Sequence, residues 1–173
     1  VGPSGRVVAI EAHPRTYECL VKTCKYNSLD NVVPLNIALV DSEQQVMIED
    51  DIHHISNAVT TDGKGTVSVR GRSLSDVCDE LAIDSIDYLR TNIEGAEQLA
   101  IKGMDKTVGR RLFVGIGCHD FKADKTGNEF FRTKKIISGF LADHGFRFLE
   151  RPSTNPWTKD YVYAFNPALI ADP

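Results

Sequence analysis

The sequence predicts an α/β fold, a mostly parallel sheet with helices on both faces and an antiparallel strand added at one edge. Three observations predict it. Short apolar, β-branched runs alternate with amphipathic stretches at the spacing of strand–helix units. Those runs end in polar residues, and each does so at its carboxyl end. The last amphipathic stretch is followed by two apolar runs with no helix between them, a pair that must run antiparallel.

The elements follow in order. Residues 6–11 form a buried strand ending in Glu11, and Pro14 opens the helix after it. In that helix Tyr17, Leu20, Val21 and Cys24 recur at i, i+3, i+4 and i+7, one apolar stripe. Asn27-Ser28 and Asp30-Asn31 stop it. A second strand covers 32–40. Residues 45–48 and 66–70 read as a small antiparallel unit, with Asp62-Gly63-Lys64-Gly65 as a turn. Ser73 to Asp76 has the form of a capping box and starts a helix to about residue 81. A strand over 86–93 leads into a short helix over 95–102, and 111–118 is a further strand. The longest helix is expected over 128–144, lined by Phe130, Phe131, Ile137 and Leu141 and stopped by Gly145. Strands over 146–150 and 161–165 close the chain, and the whole of 1–173 reads as one domain.

Composition narrows the function. The chain has 173 residues, 42% of them apolar and 25% charged, which is ordinary globular usage. No apolar run approaches the ~20 residues that span a bilayer, and no signal peptide is visible, so no membrane partner is expected. Net charge is −4, which removes the usual electrostatic reason to expect nucleic acid. The four cysteines have no metal-binding or disulfide spacing and read as reduced thiols of a cytoplasmic protein. Charge is uneven: residues 41–62 hold six acids and no Lys or Arg, whereas 102–135 hold nine bases and four acids. The basic stretch is either a solvated surface or an attraction for an anionic ligand.

Ligands of open parallel sheets bind beyond the carboxyl ends of the strands. Those ends carry Glu11 with His13, Ala38 with Asp41, Asn92 with Glu94, and His119 with Asp120. Glu11 is placed either as a surface acid or as the acceptor for two ribose hydroxyls. His13 is a helix-entry residue beside Pro14. In the stretch 86–97, Asn92, Glu94 and Glu97 meet a strand-to-helix turn at Gly95, where the acids suit either a helix N-terminus or a ligand. Asn92, at a buried strand end, must find hydrogen-bond partners. His119-Asp120 is an orienting or general-base pair, or a hydrogen-bonded structural one. His53-His54 is a weak metal candidate, because neighbours on a strand point apart, and no metal site is expected. There is no nucleophile elbow and no phosphate-cradling Gly-rich loop, so hydrolase and kinase readings fall away.

Gly5-Arg-Val-Val-Ala-Ile-Glu-Ala-His-Pro14, Asn36-Ile-Ala-Leu39, Ser73-Leu-Ser-Asp76 and Ile86-Asp-Tyr-Leu-Arg-Thr-Asn-Ile-Glu-Gly-Ala-Glu97 resemble successive blocks of the FkbM family of S-adenosylmethionine-dependent methyltransferases. The resemblance covers about residues 4–118. It implies a Rossmann-like methyltransferase sheet and methyl transfer to a hydroxyl of a sugar or other small molecule. By analogy Glu11 holds the ribose of S-adenosylmethionine, the stretch from Ala38 to Asp41 lies by the adenine, and Asn92 and Glu94 face the methionine end or the acceptor. Two positions depart from the family pattern: Asn92 stands where Asp is common, and Arg90 where Lys is common. The first strand and Gly-rich turn of the family have no counterpart here.

In the family's sheet that missing strand lies between the Glu11 and Asn92 strands. Their unpaired ladders must then pair directly, be filled by a second copy, or mark a lost segment, and a homodimer or larger homo-oligomer is expected. The expected activity is O-methylation of a small-molecule or glycan acceptor, with Glu94, His119 or Asp120 as base. The alternative is a methyltransferase fold retained as a binding or oligomerisation module. A nicotinamide-dependent enzyme is disfavoured, since no GxGxxG precedes Glu11. Acceptor loops are expected over 49–71 and 122–128, with Trp157 and Tyr161 as apolar lining or packing residues.

Overall fold

The β-branched run Val7–Ile10 (β1) pairs in parallel with Val32–Leu35 (β2), from Val7↔Val32 to Ile10↔Leu35. The computed structural model in which this pairing is seen describes residues 1–50, 59–60, 65–152 and 155–170, with the side chains of 111, 112, 156 and 157 outside that set. Between the two strands, Pro14–Tyr26 (α1) starts on the expected proline and closes at Asn27, whose backbone N–H returns to the Thr23 carbonyl at 3.1 Å. The strand expected over 32–40 is two strands. Asn36 donates through Nδ2 to the carbonyls of Glu11 and Ala12, at 2.9 Å each. Its neighbours are thereby pinned to the end of β1, and Ala38–Leu39 (β3) joins a different sheet.

That second sheet is the expected antiparallel unit with one parallel addition. Gln44–Ile48 (β4) runs antiparallel to Val67–Arg72 (β5), and β3 pairs parallel to β5 on its other side. The turn residues Asp62, Gly63 and Lys64, and the pair His53-His54, lie outside the described residues. Leu74–Glu80 (α2) begins as its sequence predicts: the Ser73 hydroxyl accepts from the Asp76 N–H at 3.0 Å.

The third sheet holds Ile86–Thr91 (β6), Arg111–Gly117 (β7), Arg147–Phe148 (β8) and Tyr161–Phe165 (β9), in the order β6-β7-β9-β8. β6 and β7 are parallel, and β9 is antiparallel to both neighbours. The antiparallel strand is therefore internal rather than at the edge. β9 offers five paired residues to β7, whereas β8 has two residues and can only finish the sheet. Glu97–Lys102 (α3) links β6 to β7. Asp120–Thr126 (α4), unforeseen in the sequence, follows β7. The long helix expected over 128–144 is confined to Lys134–Asp143 (α5), and Pro156–Lys159 (α6) precedes β9. The shortening has a local cause. The Asn128 side chain accepts from the Phe130 N–H at 3.0 Å and winds Glu129–Phe131 into one tight turn.

Val114 and Ile116 of β7 point to the helical side, where they meet Ile101, Met104, Ile137 and Leu141. Ile10, Leu35 and Leu89 pack against the same core, which joins the first and third sheets. A second cluster of Ala38, Val40, Val46, Ile48 and Val69 takes Ala12 from the loop after β1 and Leu99 from α3. The fold is thus mixed α/β with three sheets, not one continuous sheet. Among the described residues β1 pairs only with β2 and β6 only with β7, so the strands that lead to Glu11 and Asn92 are not hydrogen-bonded to each other. No described helix is long and apolar enough to cross a membrane.

Candidate active site

The chain turns from β6 into α3 through two consecutive left-handed residues, Glu94 (φ 58°) and Gly95 (φ 106°). Glycine takes this conformation freely, and a Cβ on Gly95 would run into the Phe131 ring. Glu94 has no such freedom, and its backbone costs about 1–2 kcal/mol there. The surroundings hold it. Its carboxylate meets Lys122 Nζ from α4 at 2.6 Å and His119 Nε2 at 3.6 Å. Lys122 lies over the Phe131 ring, 5.3 Å from its centre.

His119 lies two residues beyond β7, at the start of α4, and is 3% exposed. It is gripped from both sides: its Nδ1 lies 3.1 Å from Glu97 Oε1, at ion-pair distance without hydrogen-bond alignment. Glu97 is 1% exposed, and its Oε1 also accepts from the Ile93 N–H at 3.1 Å. Burial works against a charged imidazole, but the carboxylates of Glu94 and Glu97 outweigh it and push His119 up to about 9. Glu94 is pulled the other way. Burial alone would raise it, yet His119 and Lys122 together hold it below the usual carboxylate range. At neutral pH His119 is therefore an imidazolium beside an ionised Glu94. Nearby, burial and then the charge of Glu97 push the Cys118 thiol up to about 12, which leaves it protonated and inert.

Asp120 is occupied otherwise. Its Oδ1 accepts from the Lys134 N–H at 3.1 Å and anchors the start of α5. Asn92 is exposed rather than buried, and its Oδ1 lies against Gly117; its side chain makes no hydrogen bond among the described residues. The residue buried at this strand end is Thr91.

The second group of candidates sits at the end of β1. The Glu11 carboxylate accepts from the His13 N–H at 2.8 Å through Oε1, and Oε2 has no partner among the described residues. His13 is 4% exposed, and its Nε2 meets Asp50 Oδ1 at 3.1 Å while Arg15 reaches Asp50 Oδ2 at 3.2 Å. Ala38 is buried in the second cluster. Asp41 is exposed and accepts from Gln44 Nε2 at 2.7 Å, a turn contact between β3 and β4. The two groups are brought toward each other by packing: Ala12, next to Glu11, and Leu99, two residues after Glu97, share the same apolar cluster. Sequence reasoning missed Asn36, Lys122 and the anchoring of His119 by Glu97. The signals for Lys122 were the basic stretch over 102–135 and the acceptor loop expected over 122–128, most of which is helix α4 and not loop. No described group of His, Cys, Asp and Glu can hold a metal ion.

In this mixed α/β fold the polar groups collect at the carboxyl ends of the parallel strands, the end at which open α/β sheets bind their ligands. The chain belongs to the Methyltransferase FkbM domain family, which matches residues 1–148. In fold it is similar to the crystal structure of Methyltransferase FkbM from Methylobacillus flagellatus KT, with a TM-score of 0.59 at 14% identity. That likeness covers 92% of this chain and 36% of the other. No curated protein sequence matches the chain.

Proposed function

We propose that this chain is a methyltransferase domain that uses S-adenosylmethionine and methylates a hydroxyl oxygen of a sugar or other small molecule. The observation that carries the reading is the Glu11 carboxylate. It is fixed by the His13 N–H through one oxygen and keeps the other open at the carboxyl end of β1. A carboxylate so held is suited to a ribose diol, which needs a strong, oriented acceptor. Ala12, next to Glu11 and only partly buried against the second cluster, is the apolar neighbour of that carboxylate. These residues fit the cofactor. When bound, it supplies an electrophilic methyl group.

The chain's own residues then align the acceptor and handle its proton. Alignment is the larger contribution in such a transfer. His119 holds a proton through neutral pH, so it orients and donates rather than accepts. Glu94 stays ionised and is the group able to accept a hydrogen bond from the acceptor hydroxyl. Asp120 keeps α5 in place. A fold retained only as a binding module is not favoured.

Calorimetric titration of S-adenosylhomocysteine tests the reading. The unaltered chain is expected to bind at micromolar affinity. Glu11→Gln, which keeps an acceptor for the His13 N–H but loses the charge, should bind at least about tenfold more weakly at unchanged melting temperature. No binding by the unaltered chain, or equal binding by Glu11→Gln, overturns it.

A further inference from the structure

The far end of the third sheet holds a concavity of about 500 Å³ that none of the residues above explains. Its walls include Lys134, Arg151, Lys159, Tyr161 and Tyr163, with Glu150 as the one acid. Three cations against one carboxylate give the walls a net +2 in a chain whose net charge is −4.

The walls are built rather than incidental. Tyr161 and Tyr163 are two apart on β9, so they share a face, and their rings stack 5.6 Å apart at 19°. On β7 they stand opposite Gly117 and Gly115, whose lack of a side chain lets the Asn92 Oδ1 and the Tyr88 hydroxyl approach the sheet there. A guanidinium grips each ring. Arg90 Nη2 donates to the Tyr161 hydroxyl at 3.0 Å and its Cζ lies 5.6 Å from the ring centre. Arg151 Nη1 donates to the Tyr163 hydroxyl at 3.2 Å, with its Cζ 5.5 Å from that ring. A guanidinium has five N–H donors, so fixing Arg151 in this way leaves donors to spare. Lys134 Nζ donates to the Lys159 carbonyl at 2.5 Å and ties α5 to α6 across the floor.

The concavity also adjoins the Glu94–His119 cluster. The Lys134 N–H is the donor that Asp120 accepts, and the Cys118 N–H next to His119 donates to the Asp160 carbonyl between Lys159 and Tyr161.

We infer that this concavity is a binding subsite for a small ring compound bearing an oxyanion, with the ring against Tyr161 and Tyr163 and the anion on Lys134, Arg151 and Lys159. Carboxylate, phosphate and sulfate share the chemistry that the walls recognise: a delocalised negative charge that accepts several N–H bonds. As the place of the methyl acceptor, the subsite rests on the methyl-transfer reading; as a binding site it does not.

Phenyl phosphate, phenol and inorganic phosphate, titrated separately into the ¹⁵N-labelled chain, test it by amide shifts. Phenyl phosphate should shift the amides of Arg151, Lys159, Tyr161 and Tyr163 saturably, and bind about tenfold or more tightly than either control. Lys159→Ala should weaken it about tenfold, with Lys159→Arg restoring most of the affinity. Equal binding by phenol, equal binding by inorganic phosphate, or no saturable shift at these residues overturns the inference. S-Adenosylhomocysteine is titrated in parallel. Its failure to bind while phenyl phosphate still does would sink the cofactor reading and leave this subsite standing.

Discussion

At the scale of single residues, the chemistry turns on how the His119 proton is held. An imidazole with two carboxylates at its nitrogens has a folded-state value near 9 against 6.5 for the free side chain. A raised value stabilises the fold fully below about pH 6.5, and that stabilisation is lost as pH rises through 9. NMR titration of His119 should report the elevated value in the unaltered chain. In Glu97→Gln one of the two flanking charges is gone, and the value should fall by about one pH unit or more. The same variant should flatten the decline of melting temperature between pH 6.5 and 9. An unmoved His119 would mean that Glu97 holds the Ile93 loop alone and has no part in charging the ring. Asn92, by contrast, shows how a polar residue at a strand end is read wrongly when the face it occupies is not known.

At the scale of elements, caps and buried stripes should separate cleanly in stability measurements. Ser73, itself buried, satisfies one N–H at the start of α2, and Ser73→Ala should cost about 1 kcal/mol. Ile137 is fully buried in the main core, and Ile137→Ala should cost about 2–5 kcal/mol in chemical denaturation. A smaller loss for Ile137 than for Ser73 would mean that α5 is not seated on the third sheet as described. The difference in kind matters for prediction. The cap at Ser73 was legible because its partners lie within one turn. The break before α5 was not, since the apolar spacing over 128–144 suits a continuous helix equally well and hides the single turn that Asn128 caps.

At the scale of the whole molecule, β1 and β6 each leave one side of their hydrogen-bonding ladder without a strand among the described residues. Unpaired strand edges template association with further chain. We therefore expect self-association, with light scattering giving about twice the chain mass of 19.2 kDa or more at assay concentrations. A mass of one chain under those conditions would refute it.

What the sequence by itself determined is most of the strands and the helices α1 to α3, the polar residues at the ends of β1, β6 and β7, the cap at Ser73, and the family, but not α4 or the helix α6 between the last two strands. All of these are written in short-range patterns: apolar alternation, capping residues, and blocks of a dozen residues or fewer. Tertiary structure decided the rest. It split the second strand at Asn36, whose side chain is spent on carbonyls some 25 residues earlier in the chain. It set β9 inside the third sheet, because pairing length and not chain order selects a neighbour. It also made His119 a cation, because Glu94 and Glu97 meet it only after β6 and β7 have paired, and an ionisation state belongs to the charges nearby in space.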